Sequence, residues 1–546
     1  MKKGVIVLAI LVSLAFALSC SDSNKAEFLD NEASADTEPS DMTDAAADKT
    51  DSDSADTVSV NCGNHKVDEN EICDGNAEEC IAIGTGYTGG FAACKADCSG
   101  WDESTCIGND STDSDSNDTT PPDTGEDTGG DIPVDTNFKR FTADDNPNKP
   151  AFVTVDDLDE DGHPDMIVAQ YGPALSGNYD IYWGTGKLDQ WTKETLNIGG
   201  NNGISFPHPV KVADVNGDGI KDIVSPSGFL ACLVNCGNIF WLEGTGAKNQ
   251  WIKHEIVTNN DHFFFDVSLV DIDGDGISDI LTNASQKKTG LTGTTQDEQL
   301  MWFKGSNETA DRFEKNAKII SSGNGGPFPR FVDLNGDGKK DIALAQYFNS
   351  NITTNGSFIW FEQTGNIENW TKHIIDNESG ESFMLEIIDD LYGDGVRRAV
   401  GVNHVNTTDT PNGPKEGVFI FDIPADPTQP WPKKNIATDI KSRKSPLTGP
   451  QAAPGLFGYG DITGNGLIDL VVSGDGDSRV FWFEQNPAGT FTQHTLDGEA
   501  GASNSSSDPF GEAGGMQIVD LDGDGRNEII VTTYEGNKLY IYKIKK

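Results

Sequence analysis

The amino-acid sequence predicts an all-β fold, a seven-bladed β-propeller with four-stranded blades. Three observations predict this class. A nine-residue acidic motif occurs seven times, short apolar stretches of strand type flank each copy, and no segment between the copies has the pattern of a helix. A supersecondary unit repeated in this way must stack against its neighbours to bury its apolar face, which is typical of a propeller.

The seven motifs begin at regular intervals. Their first residues are separated by 57, 57, 62, 57, 71 and 59 positions, so one unit is repeated with insertions in its loops. The copies are DLDEDGHPD from Asp157, DVNGDGIKD from Asp214, DIDGDGISD from Asp271, DLNGDGKKD from Asp333, DLYGDGVRR from Asp390, DITGNGLID from Asp461 and DLDGDGRNE from Asp520.

Each repeat provides four strand-forming segments. Apolar stretches precede and follow the motif, an aromatic segment such as IFWLE comes next, and a fourth segment such as WIKHEI follows in most repeats. The last repeat stops at LYIYKIKK, one strand short, whereas NFKRFTADD at 137–145 precedes the first motif. We therefore expect this N-terminal strand to complete the last blade and close the ring, which removes the open sheet edges.

The chain before the propeller (137–546) divides into four predicted segments. Residues 1–19 have a basic start and an apolar run typical of an export signal, and they are too short to span a bilayer. Residues 20–60 and 108–136 consist mainly of acidic, Ser, Thr, Gly and Pro residues, so we expect disordered acidic linkers that act as tethers. The fourth segment, 61–107, is rich in cysteine.

The end of the export signal, ALSC, resembles the lipobox of bacterial lipoproteins. This resemblance implies a lipid on Cys20 and an exported protein anchored to a membrane, at the bacterial outer membrane or cell surface. Ordinary cleavage, with Cys20 left as a free thiol, is the alternative.

The remaining eight cysteines are predicted to form disulfides, because bridges persist in exported proteins and stabilise domains too small to hold a core. Zinc binding is the alternative for the segment 61–107. Its stretch CGNHKVDENEICDG resembles a cysteine-rich repeat of secreted and surface proteins of some bacteria. The cysteines are Cys62, Cys73, Cys80, Cys94, Cys98 and Cys106 in this small module, and Cys232 and Cys236 as a local pair in the propeller.

The charge of the chain limits its partners. With 88 acidic against 39 basic residues and a net charge of -49, the protein would repel phosphate backbones, which excludes nucleic acid as a partner. Divalent cations are the natural partners of such a surface.

The motif D-x-[DN]-x-D-G-x-x-D has the chemistry of a calcium loop. Side-chain oxygens at positions 1, 3, 5 and 9 alternate around a tight turn, and Gly at position 6 allows the bend. An EF-hand would have an acid at position 12, where these loops run into strands instead. We therefore predict about five Ca²⁺ sites. Their ligands are Asp157, Asp159, Asp161, Asp165, Asp214, Asn216, Asp218, Asp222, Asp271, Asp273, Asp275, Asp279, Asp333, Asn335, Asp337, Asp341, Asp520, Asp522, Asp524 and Glu528.

Two loops depart from the motif. The loop from Asp390 has Tyr392 at position 3 and Arg398 at position 9, so we expect it to be empty. The loop from Asp461 has Thr463 and Asn465, so it should bind a metal weakly or not at all.

The motif and its blade context resemble the FG-GAP or VCBS repeats of integrin α-subunit propellers and of many bacterial surface proteins. The resemblance extends over the segment 137–546. It implies that the loops are calcium-binding hairpins within the blades, where the ions have a structural role.

Two classes of function remain. The first is a surface-tethered, monomeric binding module for adhesion or for recognition of an extracellular protein or glycan. The second is an extracytoplasmic metal-dependent enzyme on carbohydrate, of lyase or dehydratase type. For the second class, polar residues near the inner strands are expected to converge on the central channel: His208, His262, Arg330, Glu386 and His404. We favour binding, with no catalytic residues, because no nucleophile elbow or zinc signature occurs.

Overall fold

The computed structural model describes the propeller and five short strands that precede it. The described range 135–545 has gaps at 173–175, 197, 199–203, 229–236, 249, 261, 291–292, 348–351, 409, 446–448, 488 and 500–512. Cys20, the local pair Cys232 and Cys236, and five of the six cysteines of the small module lie outside the described residues, and Cys94 ends a described strand. The lipid, the disulfides and the segment boundaries before the propeller therefore stay predictions.

Five strands lie within residues 77–108. Strands β1, β3 and β4 form one antiparallel sheet, and β2 pairs with β5. Their bounds are β1 Ala77–Glu79, β2 Tyr87–Gly89, β3 Phe91–Cys94, β4 Trp101–Asp102 and β5 Ile107–Gly108.

The propeller consists of seven antiparallel sheets, blades 1 to 7, each with four strands. In blades 1 to 6 these strands follow one another in chain order from the inner to the outer edge. Blade 1 consists of β7 Pro150–Asp156, β8 Asp165–Gln170, β9 Ser176–Trp183 and β10 Thr192–Leu196, with β11 Ile204–Ser205 paired to β9. Blade 2 consists of β12 Lys211–Ala213, β13 Asp222–Ser227, β14 Gly237–Gly244 and β15 Trp251–Asn260. Blade 3 consists of β16 Phe263–Val270, β17 Asp279–Gly290, β18 Gly293–Phe303 and β19 Lys318–Ser322.

The later blades repeat this order. Blade 4 consists of β20 Arg330–Val332, β21 Asp341–Ala345, β22 Phe358–Gln363 and β23 Trp370–Asp376, and blade 5 of β24 Ser382–Ile388, β25 Arg398–Asn403, β26 Val418–Asp422 and β27 Lys433–Asn435. Blade 6 consists of β30 Phe457–Gly460, β31 Asp469–Ser473, β32 Arg479–Asn486 and β33 Thr490–Gly498. Blade 7 contains β34 Ala513–Val519, β35 Glu528–Thr533 and β36 Lys538–Ile544. The hairpin β28 Arg443–Ser445 and β29 Gly449–Gln451 lies between blades 5 and 6.

The ring is closed by the strand that precedes the first motif. Strand β6, Phe138–Asp144, pairs antiparallel with β36 and becomes the fourth strand of blade 7. Arg140 of this strand also forms an ion pair of 3.2 Å with the buried Asp497 of blade 6. The prediction of seven blades latched by the N-terminal strand is confirmed.

The core lies between the blades and is built from their aromatic third strands. Trp241, Trp302, Trp360 and Trp482 are all at most 2% exposed. Three of these rings stack on a histidine of the fourth strand, with centroid distances of 4.2, 4.4 and 4.5 Å. The recurring tryptophans and histidines are therefore packing residues of the scaffold, as the repeat predicts.

In the described part of the chain, the one helix is the single turn α1, Ile352–Asn355, between β21 and β22. No described helix combines the length and the apolar composition that a membrane crossing requires.

Candidate metal centres

The seven acidic loops join the first and second strands of their blades. In blade 3, for example, the loop runs from Asp271 to the start of β17 at Asp279. Because all blades have the same strand order, all seven loops lie on one face of the propeller, which we call the metal-loop face. This placement is the one that the motif and its flanking strands predict.

The first aspartate of each motif folds the turn. In blade 3, Asp271 Oδ1 accepts hydrogen bonds from the backbone N–H groups of Gly274 at 2.8 Å and Asp275 at 3.1 Å, and Oδ2 accepts one from Gly276 at 2.9 Å. Gly274 and Gly276 have positive φ angles of 76° and 83°, a backbone conformation that residues with a side chain rarely adopt. The motif thus specifies the turn through its own backbone bonds.

The acid at position 9 ties the loop to the third strand. Asp279 is fully buried, and its two oxygens accept hydrogen bonds of 2.7 Å from the backbone N–H groups of Ile272 and Gly305. Asp165 and Asp222 make the equivalent bonds in blades 1 and 2. Burial raises the pKa of each of these three carboxyls to about 6, because the charged form is poorly solvated there.

In three loops the structure brings the acids at positions 1, 3 and 9 together. The carboxylate oxygens lie within 4.8 Å of one another in each group. One oxygen of Asp273 and one of Asp522 are buried without a hydrogen-bond partner among the described residues. A cation would satisfy such orphaned oxygens, so these loops fit a metal ion. The groups are Asp157, Asp159 and Asp165; Asp271, Asp273 and Asp279; and Asp520, Asp522 and Glu528.

The acids at position 5 lie outside these three groups. Each is hydrogen bonded to the backbone N–H of position 7 in its own loop, as Asp275 is to Ile277 at 2.9 Å. The same bond is made by Asp161, Asp218, Asp337 and Asp524. The acids at position 5 therefore stabilise the turn of their own loop.

The loops in blades 2 and 4 have an asparagine at position 3 and form a different arrangement, which we call the glutamate type. In blade 2, Asn216 Nδ2 donates to Glu243 Oε1 at 3.2 Å, and Glu243 Oε2 lies 2.7 Å from His254 Nε2. Blade 4 repeats this with Asn335 and Glu362 at 3.2 Å. The glutamate is the last residue of the aromatic segments IFWLE and FIWFE.

The loops in blades 3 and 7 have a lysine at that strand position and form the lysine type. The Lys304 ammonium contacts the carboxylates of Asp273 and Asp275, the latter at 2.6 Å. Lys543 lies 2.5 Å from Asp522 and 3.0 Å from Glu528. The hydrogen bonds that Lys304 donates to the carboxylates of Asp273 and Asp275 raise its pKa, so the ammonium stays charged.

In blade 1, Trp183 occupies the strand position of the glutamate or lysine, so that position carries no charge. A lysine of the neighbouring blade contacts the loop instead. Lys248 of blade 2 lies 2.6 Å from Asp159 and stacks over the Trp183 ring at 4.1 Å. In all three loops with aspartate at position 3, a lysine thus contacts that aspartate. These lysines were not predicted, although in blades 3 and 7 the aromatic segment ends in lysine where position 3 is aspartate, and in blades 2 and 4 it ends in glutamate where position 3 is asparagine.

The two departing loops differ from the others as their sequences suggest. In the loop from Asp390, the Arg398 guanidinium forms two bonds with Asp394, of 2.8 and 2.9 Å, and one of 2.9 Å with Asp422. Arg398 thus brings its own positive charge to position 9. In the loop from Asp461, Thr463 replaces the acid, and no group of three acids forms there among the described residues. Both metal predictions stay predictions.

Of the residues expected to converge on the channel, two do so. Arg330 of blade 4 and Glu386 of blade 5 form a two-bonded ion pair, with Nε at 2.7 Å from Oε2. His208 is instead fully buried between aromatic rings, 4.4 Å from Phe265, and burial lowers its pKa to about 3. His404 likewise stacks on an aromatic ring, that of Phe383 at 5.2 Å.

The fold and its acidic hairpins define a seven-bladed β-propeller whose loops are suited to metal ions. Residues 157–225 and 461–531 match the family described as FG-GAP-like repeat. The chain therefore carries FG-GAP-like repeats, as the sequence predicts. No curated protein matches the chain.

Several solved structures are similar in topology. A periplasmic gluconolactonase of Pseudomonas aeruginosa is 12% identical, with a TM-score of 0.39, over 63% of this chain and 84% of that chain. An α-L-arabinanase of Penicillium chrysogenum is 12% identical, with a TM-score of 0.35, over 76% and 98%. A family AA12 carbohydrate-active enzyme of Trichoderma reesei, a calcium structure, is 10% identical, with a TM-score of 0.36, over 78% and 99%. At these values the likenesses carry no argument about chemistry.

Proposed function

We propose that this protein is a calcium-binding β-propeller, held at the bacterial outer membrane or cell surface by a lipid on Cys20, that recognises an extracellular protein or glycan. The observation that carries the calcium part is the convergence of three acids within 4.8 Å in three separate loops. Five loops, from Asp157, Asp214, Asp271, Asp333 and Asp520, supply the ligands.

The donor set favours Ca²⁺ over other ions. All the side chains offered are carboxylates or amides, which are hard oxygen donors, and neither cysteine nor histidine belongs to the three groups. Bound calcium would neutralise carboxylates that otherwise repel one another, and a ligand that binds only the folded state stabilises it. The ions would therefore have a structural role.

Thermal unfolding of the full chain tests the calcium proposal. Addition of EGTA should lower the melting temperature, and CaCl₂ in excess should restore it, whereas MgCl₂ should restore less because Mg²⁺ requires a stricter octahedral geometry. Asp273→Ala should remove part of the calcium effect. Glu308→Ala is the matched control, because Glu308 is an exposed acid of the same blade outside the loop.

Melting curves that coincide in EGTA and in CaCl₂ would overturn the calcium proposal. The same result for Asp273→Ala and Glu308→Ala would remove the Asp271 loop from the set of sites. Anchoring is tested separately, since Cys20→Ala should abolish labelling of the expressed protein by a fatty acid. Labelling that persists would contradict the lipid on Cys20.

The recognition role is supported by the architecture. Seven blades closed into a ring form a rigid frame, and loops on such a frame are the usual place for binding residues. An array of glycans and surface proteins tests it with the calcium-loaded chain. Retention without chemical change of the bound molecule supports recognition, and the absence of any retained molecule would count against it.

Enzymatic action on carbohydrate is the second candidate, favoured by the convergence of Arg330 and Glu386 on the axis of the ring. Glu386 could act there as a general base, with Arg330 as a fixed positive charge that stabilises negative charge developing on the substrate. A panel of polysaccharides should then yield product with the wild-type chain and none with Glu386→Gln. Product formation that is equal in both would show that this pair does not catalyse.

A further inference from the structure

Four charged side chains meet where the inner strands of blades 2 to 5 surround the axis. Lys211, Arg330 and Glu386 occupy the same register, since each pairs with the residue two positions beyond position 9 of its motif. Asp266 of blade 3 lies between them in the sequence of blades, at an irregularity in β16. We call these four residues the channel cluster.

Two members of the channel cluster are satisfied and two are not. Arg330 and Glu386 hydrogen bond to each other in bidentate fashion. Asp266 is 2% exposed, and neither of its oxygens has a hydrogen bond of full geometry among the described residues. The Lys211 ammonium is half-buried and makes no ion pair with a described acid, although the charge of Asp266 acts on it.

The environment of this unsatisfied pair is strongly desolvating. Burial raises the pKa of Asp266 to about 6, against the lowering effects of the Phe328 backbone N–H and of the charges on Lys211 and Arg330. Burial likewise lowers the pKa of Lys211. A buried polar group without a partner costs about 1–3 kcal/mol, and unsatisfied groups of this kind are characteristic of functional sites.

The channel is closed by aromatic rings on the side away from the metal loops. Phe265 lies at the centre of this plug and contacts rings from four other blades: Phe152 at 5.9 Å, His208 at 4.4 Å, Phe328 at 5.6 Å and Phe383 at 5.6 Å. Access to the channel cluster from that side would require this packing to open.

An exposed aromatic residue lies close to the channel cluster on the other side. Tyr459 of blade 6 is 39% exposed and is influenced by the charges of Glu386 and Arg330. In its strand it pairs with Leu470, next to position 9 of its motif, so it lies nearer the metal-loop face than Arg330 does. The exposed Tyr459 ring thus lies on the metal-loop side of the cluster, opposite the aromatic plug.

We propose that the channel cluster binds an uncharged, hydroxylated ligand, such as a polyol or a neutral sugar, which enters from the metal-loop face. A hydroxyl group can accept a hydrogen bond from Lys211 and donate one to Asp266, and thereby satisfies both at once. The cluster contains two cations and two anions, so it offers no net attraction to a charged ligand. The inference rests on the recognition role proposed above and gives it a ligand class.

Isothermal titration calorimetry of the full calcium-loaded chain tests this site. The probes are D-galactose, L-arabinose, L-rhamnose and myo-inositol, with D-glucuronate as a charged comparison. At least one neutral probe should bind, and Lys211→Met and Asp266→Asn should each weaken it at least tenfold, the ratio that corresponds to about 1.4 kcal/mol. Glu308→Ala should bind as the wild type does.

A second measurement separates binding from folding. Asp266→Asn keeps the shape of the side chain and removes its buried charge, so its melting temperature should equal or exceed that of the wild type while its affinity falls. Neutral probes that bind the wild type and both variants equally would overturn the channel site and leave the recognition role standing. Binding of glucuronate alone, or of no probe while a glycan array retains the protein, would also overturn it.

Discussion

In blades 3 and 7 a lysine from the third strand lies among the loop carboxylates, whereas in blades 2 and 4 a glutamate takes the same strand position and is hydrogen bonded to an asparagine. The loop of blade 3 has four acids, with Lys304 beside them. The loop of blade 2 has three acids, with Glu243 and His254 beside them. The backbone turn is the same in both types, so the exchange of charge occurs without a change of fold.

The difference between the two types shows that the backbone turn and the net charge of the loop are determined by different residues. The turn is formed by backbone bonds to positions 1 and 9, which both types share. The side chain from the third strand then decides how much negative charge is left for an ion. The lysine type carries its own cation, so we expect it to bind calcium more weakly than the glutamate type.

The largest loss of stability is expected when the acid at position 9 is replaced, and it should be similar in both types. Asp279→Ala in the lysine type and Asp222→Ala in the glutamate type each leave two buried backbone N–H groups without an acceptor. The free energy of unfolding in EGTA should fall by about 2–5 kcal/mol in either variant, measured by urea denaturation. The exposed Asp275→Ala is the control, with a smaller loss. A large loss in one type only would break the shared role of position 9.

A smaller effect should separate the two types. Lys304→Met removes a positive charge that contacts two loop carboxylates, so the calcium affinity of that loop should rise by about tenfold in a calorimetric titration. Lys315→Met is the matched control, because its ammonium pairs with Asp311 away from the loop and is largely exposed. An affinity that is unchanged or lower in Lys304→Met would contradict the difference between the two types.

The last effect expected is a dependence of metal-free stability on pH that both types should share. The folded chain binds a proton at Asp165, Asp222 and Asp279 with a pKa of about 6, whereas an unfolded aspartate titrates near 4. The folded state thus holds more protons in this window, and its stability should fall as the pH rises from about 4 to 6. Below and above the window this contribution is constant.

Calcium should reverse that dependence, because it requires the carboxylates in their charged form. Melting temperatures recorded in EGTA and in CaCl₂ across the same pH range measure both slopes. The gain from calcium should increase as the pH rises through the window. A gain that does not vary with pH would show that the acids at position 9 are not neutralised by the ion.

Much of the fold could be predicted from the sequence because its signals are local and repeated. The motif marks each hairpin, short apolar and aromatic stretches mark the strands, and the segment at 137–145 supplies the strand that blade 7 lacks. The predicted ligand positions of the loops come from the same pattern and stay a prediction. The structure adds that positions 1, 3 and 9 converge, while position 5 bonds to its own turn.

The lysines that contact the loops, and Lys211 and Asp266 of the channel cluster, were not predicted from the sequence, for physical reasons. Lys304 reaches Asp273 from 31 residues away, and only the pairing of the strands brings them together. Asp266 faces the axis at an irregularity of β16 between Phe264 and Val267, which no pattern of period two indicates. His208, which was expected to line the channel with a polar group, lies just before β12 and is buried in the aromatic plug that closes the channel.

The latch between β6 and β36 has a consequence for biosynthesis. It joins partners nearly the whole propeller apart, such as Asn146 and Asn537, which are separated by 391 positions. Blades 1 to 6 can each form from contiguous sequence, but the contacts of the latch cannot exist before β36 is available to β6. Until then β6 has no partner and blade 7 has an exposed edge, so the folding chain is most open to mispairing and to chaperones before the latch closes.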